Sequence, residues 1–263
     1  MDIKQGIRRN FARRAGSYDR HADTQRYMAQ ELLGRAGEWV SRVSCILEIG
    51  CGTGYLTQQL RQVNAQARVV ALDLDVALLE VARRRLGPDP RLTWLVADGE
   101  SFGRGSFDLI ISNATFQWLT LPEATLAAYF RCLKPGGVLA FSTLGPRTFQ
   151  ELGTSLRQAA RTLNLATVPE IAAQGFLAAE SWQGLLSRAG FPQINLARQL
   201  ITVDYPTVRQ FLSSLQATGA TNPQPRPFSS RLLKTMIEAY GAKYAHNGSV
   251  SVTYEIIWAL AQR

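Results

Sequence analysis

Residues 44–54 read S-C-I-L-E-I-G-C-G-T-G, a mostly apolar run that ends on the first of three closely spaced glycines. Such a run fits a strand buried on both faces, and buried strands of this kind belong to sheets covered by helices. The glycines permit unusual backbone angles and let the turn come close to a ligand. Their spacing is G-x-G-x-G, not the G-x-G-x-x-G of dinucleotide-binding turns, and no Lys-Ser/Thr ending of a phosphate loop follows. A strand that closes on such a turn and opens a helix requires further strands beside it.

Those strands are present. ARVVALD (67–73), LTWLVAD (92–98), FDLIISN (107–113) and VLAFSTL (138–144) are apolar runs of strand length. They alternate with helical patterns at 27–42, 55–63, 76–86 and 122–133. Strands alternating with helices mean βαβ units and a mostly parallel α/β sheet. GPDPR (87–91) and KPGG (134–137) read as turns. The later chain predicts helices at 148–165, 181–190, 207–217 and 229–244, with Gly190 as a helix stop, and strands at 193–203 and 249–261. With no repeat and no obvious linker, the expectation is one domain, 1–263. Residues 1–43 form an N-terminal helical lid, 44–145 the core, and 146–263 a C-terminal half with cap insertions and the last two strands.

Composition narrows the function classes. The 263 residues are 46% apolar and 19% charged, which excludes a disordered chain. Cys45, Cys51 and Cys132 are too few for a disulfide framework, so a reducing cytosol is the expected compartment. No apolar run nears the roughly 18 residues of a membrane span. The basic N-terminus, M-D-I-K-Q-G-I-R-R-N-F-A-R-R-A-G, has no apolar segment after it and does not read as a secretory signal. A net charge of +9 favours an acidic partner: nucleic acid, an anionic protein or an anionic metabolite. No long Lys/Arg run or RNA-binding motif singles out nucleic acid.

Three polar residues sit at predicted strand ends. Asp73 follows Gly54 by 19 residues and can accept from both hydroxyls of a ribose, with Leu74 beside it. Asp98, followed by Gly99, can accept from an exocyclic amine of adenine. Asn113 falls beside the glycine turn if the strand order reverses there, and open α/β sheets bind ligands at that reversal. Asp73 and Asp98 also suit helix or turn caps, although Asp75 is better placed to cap the helix at 76–86.

Together, E-x-G-C-G-T-G, Asp73, V-A-D-G-E (96–100), F-D-L-I-I-S-N (107–113) and L-K-P-G-G (133–137) resemble the class I S-adenosylmethionine-dependent methyltransferases. The resemblance implies a Rossmann-like fold: a seven-stranded, mostly parallel sheet with an antiparallel last strand and helices on both faces. It implies a cofactor, S-adenosyl-L-methionine, yielding S-adenosyl-L-homocysteine. It assigns cofactor binding to Tyr18, Gln25, Glu48, Gly50, Cys51, Gly52, Gly54, Asp73, Leu74, Asp98, Gly99 and Asn113.

The flanks resemble a narrower group. N-F-A-R-R-A-G-S-Y-D-R-H-A-D-T-Q (10–25), S-N-A-T-F-Q-W (112–118), V-L-A-F-S-T-L-G-P-R-T-F-Q-E-L (138–152), L-Q-A-T-G-A-T (215–221) and V-T-Y-E-I-I-W-A-L-A (252–261) are similar to the malonyl-acyl-carrier-protein O-methyltransferases of biotin synthesis. This implies methylation of the free carboxylate of a malonyl thioester. A carboxylate nucleophile is ionised at neutral pH, so no general base is required. His21 and His246 are the only histidines, and no metal set stands out. Tyr18 is the candidate for closing over the reacting groups. Gln117, Trp118 and Arg147 are the candidate acceptor-site residues, Arg147 as the cation for the malonyl carboxylate.

The implied partner is an acyl carrier protein bearing a malonyl group, or malonyl-coenzyme A, with a monomeric enzyme, no membrane and no nucleic acid. Arg8, Arg9, Arg13 and Arg14, or Arg226, Arg231 and Lys234, are the candidate docking cations. Arg83, Arg84 and Arg85 read instead as a solvated helix end. Three other readings stay open: another small carboxylic acid such as trans-aconitate, an RNA substrate, or a non-catalytic cofactor-binding protein. Ser112-Asn113-Ala114-Thr115 departs from the N-P-P-Y/F tetrad of base-amino methylation.

Overall fold

The structure is a computed structural model that describes Lys4, Gly6, 18–217 and 228–263. Its centre is a twisted sheet whose main path runs β3-β2-β1-β4-β5-β8-β6, with the two-residue β7 paired to β8. Here β1 is Cys45–Ile49, β2 Arg68–Asp73, β3 Leu92–Val96, β4 Phe107–Asn113, β5 Leu133–Leu144, β6 Gln193–Tyr205, β7 Ala245–His246 and β8 Ser249–Gln262. The first five strands are mutually parallel, and β8 is antiparallel to both β5 and β6. The seven-stranded sheet with an antiparallel last strand is therefore as expected. Strand order reverses at β1 and β4, which places the glycine turn beside Asn113.

Eight α-helices pack around the sheet among the described residues: α1 Asp23–Arg42, α2 Tyr55–Val63, α3 Val76–Leu86, α4 Pro122–Cys132, α5 Gln150–Thr162, α6 Ala179–Ala189, α7 Val208–Ala217 and α8 Ser230–Tyr244. None is long and apolar enough to cross a membrane. Two apolar cores cover the two faces. Leu109 and Ile111 of β4 enter one, with Met28, Leu32 and Val40 of α1; Ile110 enters the other, with Leu126 of α4 and Leu186 of α6. Alternate residues of one strand thus feed opposite cores, the pattern of a doubly covered strand. On α1, Met28, Leu32, Ala36 and Val40 recur every four residues along one buried stripe. Each fully buried Leu or Met contributes about 1.5–3 kcal/mol over the exposed state.

The structure corrects one local expectation. KPGG is not a simple turn but part of β5, where six residues, Leu133 to Val138, span three of β4, Phe107 to Leu109. The C-terminus fastens this bulge: Gly136 N–H donates to the Arg263 carbonyl, and Arg263 N–H to that of Gly137. Elsewhere α1 begins at Asp23, four residues before the periodic stretch. Gly190 does end α6, in the left-handed conformation.

Candidate active site

Two cavities open where the parallel strands end. One is lined by Ile49, Leu72, Asp73, Leu74, Asp75, Leu78, Ala97, Asp98, Gly99, Glu100, Ala114, Thr115, Trp118, Leu119 and Lys4. The other is lined by Asp19, Ala22, Gln25, Arg26, Glu48, Cys51, Thr53, Tyr55 and Leu56. Gly50, Gly52 and Asn113 line both, so the cavities meet at the glycine turn.

The turn is built by φ values of +68° at Gly50 and +56° at Gly52. A Cβ on Gly50 would lie 2.3 Å from Thr115 Oγ1, so Gly50 is required for packing as well as for its backbone angle. Among the described residues a Cβ on Gly52 would meet nothing within 4 Å; it would project into the cavity junction. Gly54 lines neither cavity. Its missing Cβ admits Ala82 of α3.

Asp73 is held at the junction. Its Oδ2 accepts from Gly52 N–H at 2.9 Å, and its Oδ1 from Asp75 N–H at 2.9 Å. Burial pushes its carboxyl up to about 6, against the two backbone donors. Asp75, not Asp73, caps α3, accepting from Ala77 N–H. Glu48 lies at the floor of the second cavity, 1% exposed. Burial, with a further contribution from the Asp73 charge, pushes it up to about 8; Thr57 works against that rise. Even so, neither Glu48 Oε2 nor Thr57 Oγ1 makes a well-formed hydrogen bond among the described residues. Burial also raises the Cys51 thiol well above its ordinary range, so Cys51 is no thiolate nucleophile at neutral pH.

Asp98 caps a 3-10 turn, accepting from Glu100 N–H, and its other oxygen lies 2.5 Å from Lys4 Nζ. Glu100 also pairs with Lys4 and accepts from Thr120 and Leu121 N–H. Burial would raise the Glu100 carboxyl, but these donors outweigh it and hold the group below its usual range. Asn113 ties the molecule together: its amide donates to the Gln25 carbonyl, and its oxygen accepts from Ser142 of β5.

The acceptor-side candidates are placed differently. Trp118 lines the first cavity and packs edge-on against Phe176. Gln117 lines neither cavity; its amide donates to the Ala114 carbonyl and accepts from Thr143 Oγ1. Arg147 is exposed on the loop after β5, outside both cavity walls, with Nε 3.4 Å from Gln150 Oε1. The Tyr18 side chain lies outside the described residues, although its backbone opens a 3-10 turn, Tyr18–His21. Arg8, Arg9, Arg13, Arg14 and Arg226 also lie outside them, while Arg231 and Lys234 are on α8.

Sequence reasoning missed Asp19, Arg26, Thr53 and Tyr55 in the second cavity. Asp19 accepts from Thr53 Oγ1 at 2.7 Å and pairs with Arg85. Arg83 and Arg84 are exposed, but Arg85 is half-buried in this contact, which corrects its reading as part of a solvated helix end. Only the adjacency of Asp19 to Tyr18 hinted at its place.

Residues 47–141 match the family model for a methyltransferase domain. Solved structures agree on the fold: the YcgJ protein of Bacillus subtilis superposes with a TM-score of 0.60, at 15% identity over 89% of this chain and 98% of its own. The N-methyltransferase NodS of Bradyrhizobium japonicum, in complex with S-adenosyl-L-homocysteine, gives 0.54 at 16% identity over 98% of both chains. Curated relatives match nearly end to end. A malonyl-[acyl-carrier protein] O-methyltransferase of Anoxybacillus flavithermus is 38% identical over 98% of this chain and 97% of its own. The enzyme of the same name from Halalkalibacterium halodurans is 35% identical over 98% of both. With the S-adenosylmethionine-type core and the cap segments both inside that match, the chain belongs to the family of malonyl-[acyl-carrier protein] O-methyltransferases.

Proposed function

We propose that this protein transfers the methyl group of S-adenosylmethionine to the free carboxylate of a malonyl thioester on acyl carrier protein, giving the methyl ester used as primer in pimeloyl and biotin synthesis. The observation that carries this reading is the similarity over 98% of the chain, which takes in the caps as well as the methyltransferase core. The residues present fit the cofactor. Open space at Gly52 admits a ligand against the turn, and the unsatisfied Glu48 Oε2 offers an acceptor to an ammonium group. Asp73, fixed by Gly52 and Asp75, takes the ribose hydroxyls, with Leu74 and Gly99 along the nucleoside wall. Asp98 is the acceptor for the adenine amine, and Lys4 shares it.

When bound, S-adenosylmethionine supplies a sulfonium methyl that an ionised carboxylate displaces in line. The protein's task is then positioning and exclusion of water, since both charges are lost on the way to the transition state. Arg147 holds the malonyl carboxylate in its ionised form. Trp118 shapes the approach from β4, and Gln117, outside both cavity walls, braces the turn that carries it. Tyr18 closes over the methionine end, on a segment fastened to the core by Asp19–Thr53 and Asn113–Gln25. The net charge of +9 supports an acidic carrier over a free acid. We place the protein in the cytosol as a monomer, in keeping with three unpaired cysteines.

The test offers malonyl-acyl-carrier protein, malonyl-coenzyme A, free malonate, trans-aconitate and bulk RNA to the enzyme with methyl-labelled S-adenosylmethionine. Base-labile label on the malonyl-carrier is the expected result. Label on aconitate or RNA alone would overturn the substrate and leave the cofactor reading intact.

A further inference from the structure

Beside the site, on the β5–β8 side, lies a buried carboxylate that the chemistry above does not use. Glu255 of β8 is 2% exposed. Its Oε2 accepts from the backbone N–H of Arg147 at 2.8 Å. Its main chain holds the same loop on either side: its carbonyl accepts from Gly145 N–H at 2.8 Å, and its N–H donates to Thr148 Oγ1 at 3.1 Å. Gly145 leaves the room that the carboxylate fills, since a Cβ there would lie 2.6 Å from both Cδ and Oε2 of Glu255. The Arg198 guanidinium stands 3.8 Å from Oε1 and partly offsets the buried charge.

A buried carboxylate is costly unless its oxygens are matched by donors. This one is spent on the backbone amide of Arg147, the exposed residue of a loop whose flanking Gly145 and Thr148 are buried, and the residue whose side chain is the candidate clamp. We propose that Glu255 is a positioning residue for Arg147, fixing the loop so that the guanidinium stands at one height above the end of β5. Resting on the reading of Arg147 as the malonyl clamp, this adds the element that holds the clamp in place. Glu255 itself touches neither substrate nor cofactor. A preorganised loop spares the ordering cost that a mobile arginine would incur at each binding event.

The experiment compares Arg147→Ala, Glu255→Ala, Glu255→Gln, Gly145→Ala and the Arg147→Ala/Glu255→Ala double variant. Each is assayed for KM and kcat with malonyl-acyl-carrier protein and for S-adenosylmethionine affinity by calorimetry. Glu255→Ala is expected to raise KM about tenfold, the scale of one lost hydrogen bond to a charged group, with cofactor affinity unchanged. Gly145→Ala displaces the carboxylate without removing it and should give the same KM rise; it carries the test if Glu255→Ala does not fold. Glu255→Gln keeps an acceptor for the Arg147 amide and should restore KM to within about twofold of the parent. The double variant should be no worse than Arg147→Ala alone, because a positioner has nothing left to position.

An unchanged KM in Glu255→Ala and Gly145→Ala, beside a raised KM in Arg147→Ala, overturns the inference and leaves the clamp standing. Additive losses in the double variant, or a parallel fall in cofactor affinity, also overturn it, since both mark general structural damage. If Arg147→Ala itself leaves KM unmoved, the clamp reading fails first, and the positioning role falls with it.

Discussion

The two halves of the sheet treat their polar groups in opposite ways. At the ends of β1 and β2, buried carboxyl groups line the cavities, and burial holds both above the usual carboxylate range. Among the described residues Glu48 Oε2 has no hydrogen-bond partner, and Asp73, with one backbone N–H at each oxygen, has a carboxyl pushed up to about 6. At the ends of β5 and β8, the buried polar groups satisfy one another. Glu255 is bound to the Arg147 loop, Glu151 to Thr253, and Gln117 to Thr143 and Ala114. There the one candidate ligand-facing charge, Arg147, is exposed. In the proposed function the first half is the receptor, with some hydrogen-bonding capacity kept for a ligand. The second is a rigid frame that presents a side chain at its rim.

The sharpest way to break this contrast is at the glycine turn. Gly50→Val combines a left-handed non-glycine residue with a clash against Thr115 and should cost roughly 2–6 kcal/mol of stability. A melting temperature equal to the parent's would mean that the turn is far softer than its geometry implies. Next in size is Arg147→Ala, which should raise the malonyl KM by the roughly 1.5–3 kcal/mol of a hydrogen bond to a charged group and spare the cofactor. A loss of cofactor affinity instead would erase the division between the halves.

Asp73→Ala should do the reverse. It weakens cofactor binding by about 1–3 kcal/mol while the malonyl KM at saturating cofactor stays put. Calorimetry showing intact affinity would remove Asp73 from the site.

The pH response completes the comparison, and its sign separates folding from binding. The Asp73 carboxyl is raised to about 6 and that of Glu48 to about 8. In the ligand-free protein, their neutral forms are favoured by folding. That stability is fully present below the unfolded carboxyl range and is lost as pH rises through about 6 and then about 8. In the role proposed for Asp73 the ionised carboxylate accepts from the cofactor, so affinity should instead rise as pH climbs through about 6. Glu100 and Asp108, both held low, act only in acid and leave this window alone. Melting curves and cofactor titrations that bracket about 6 and about 8 check both slopes. A cofactor affinity that fell over the same interval would contradict the role given to Asp73.

Much of the cofactor half was legible because its determinants are local. The apolar run before the glycines, the acid 19 residues on and the polar strand ends follow one another in consecutive βα units, so their spacing carries their position. The second cavity was less legible. Asp19 reaches Thr53 and Arg85 from 34 and 66 residues away, and no periodicity reports such a contact. The KPGG segment was misread for the same reason. Gly and Pro there signal a turn, but pairing with the C-terminal Arg263 draws the segment into β5 as a bulge.

What the sequence determined by itself was the alternation of strands and helices, the glycine turn and the acids after β2 and β3, since backbone propensity and hydrophobic period act over a few residues. Tertiary structure alone decided which of those polar groups remain available. Asn113 is occupied in joining Gln25 to Ser142, Gln117 in accepting from Thr143 of β5, and Glu255 in holding the Arg147 loop. Each of these partnerships crosses between segments brought together by the packing of the two cores, and a hydrogen bond needs contact at about 3 Å, which only the folded chain supplies.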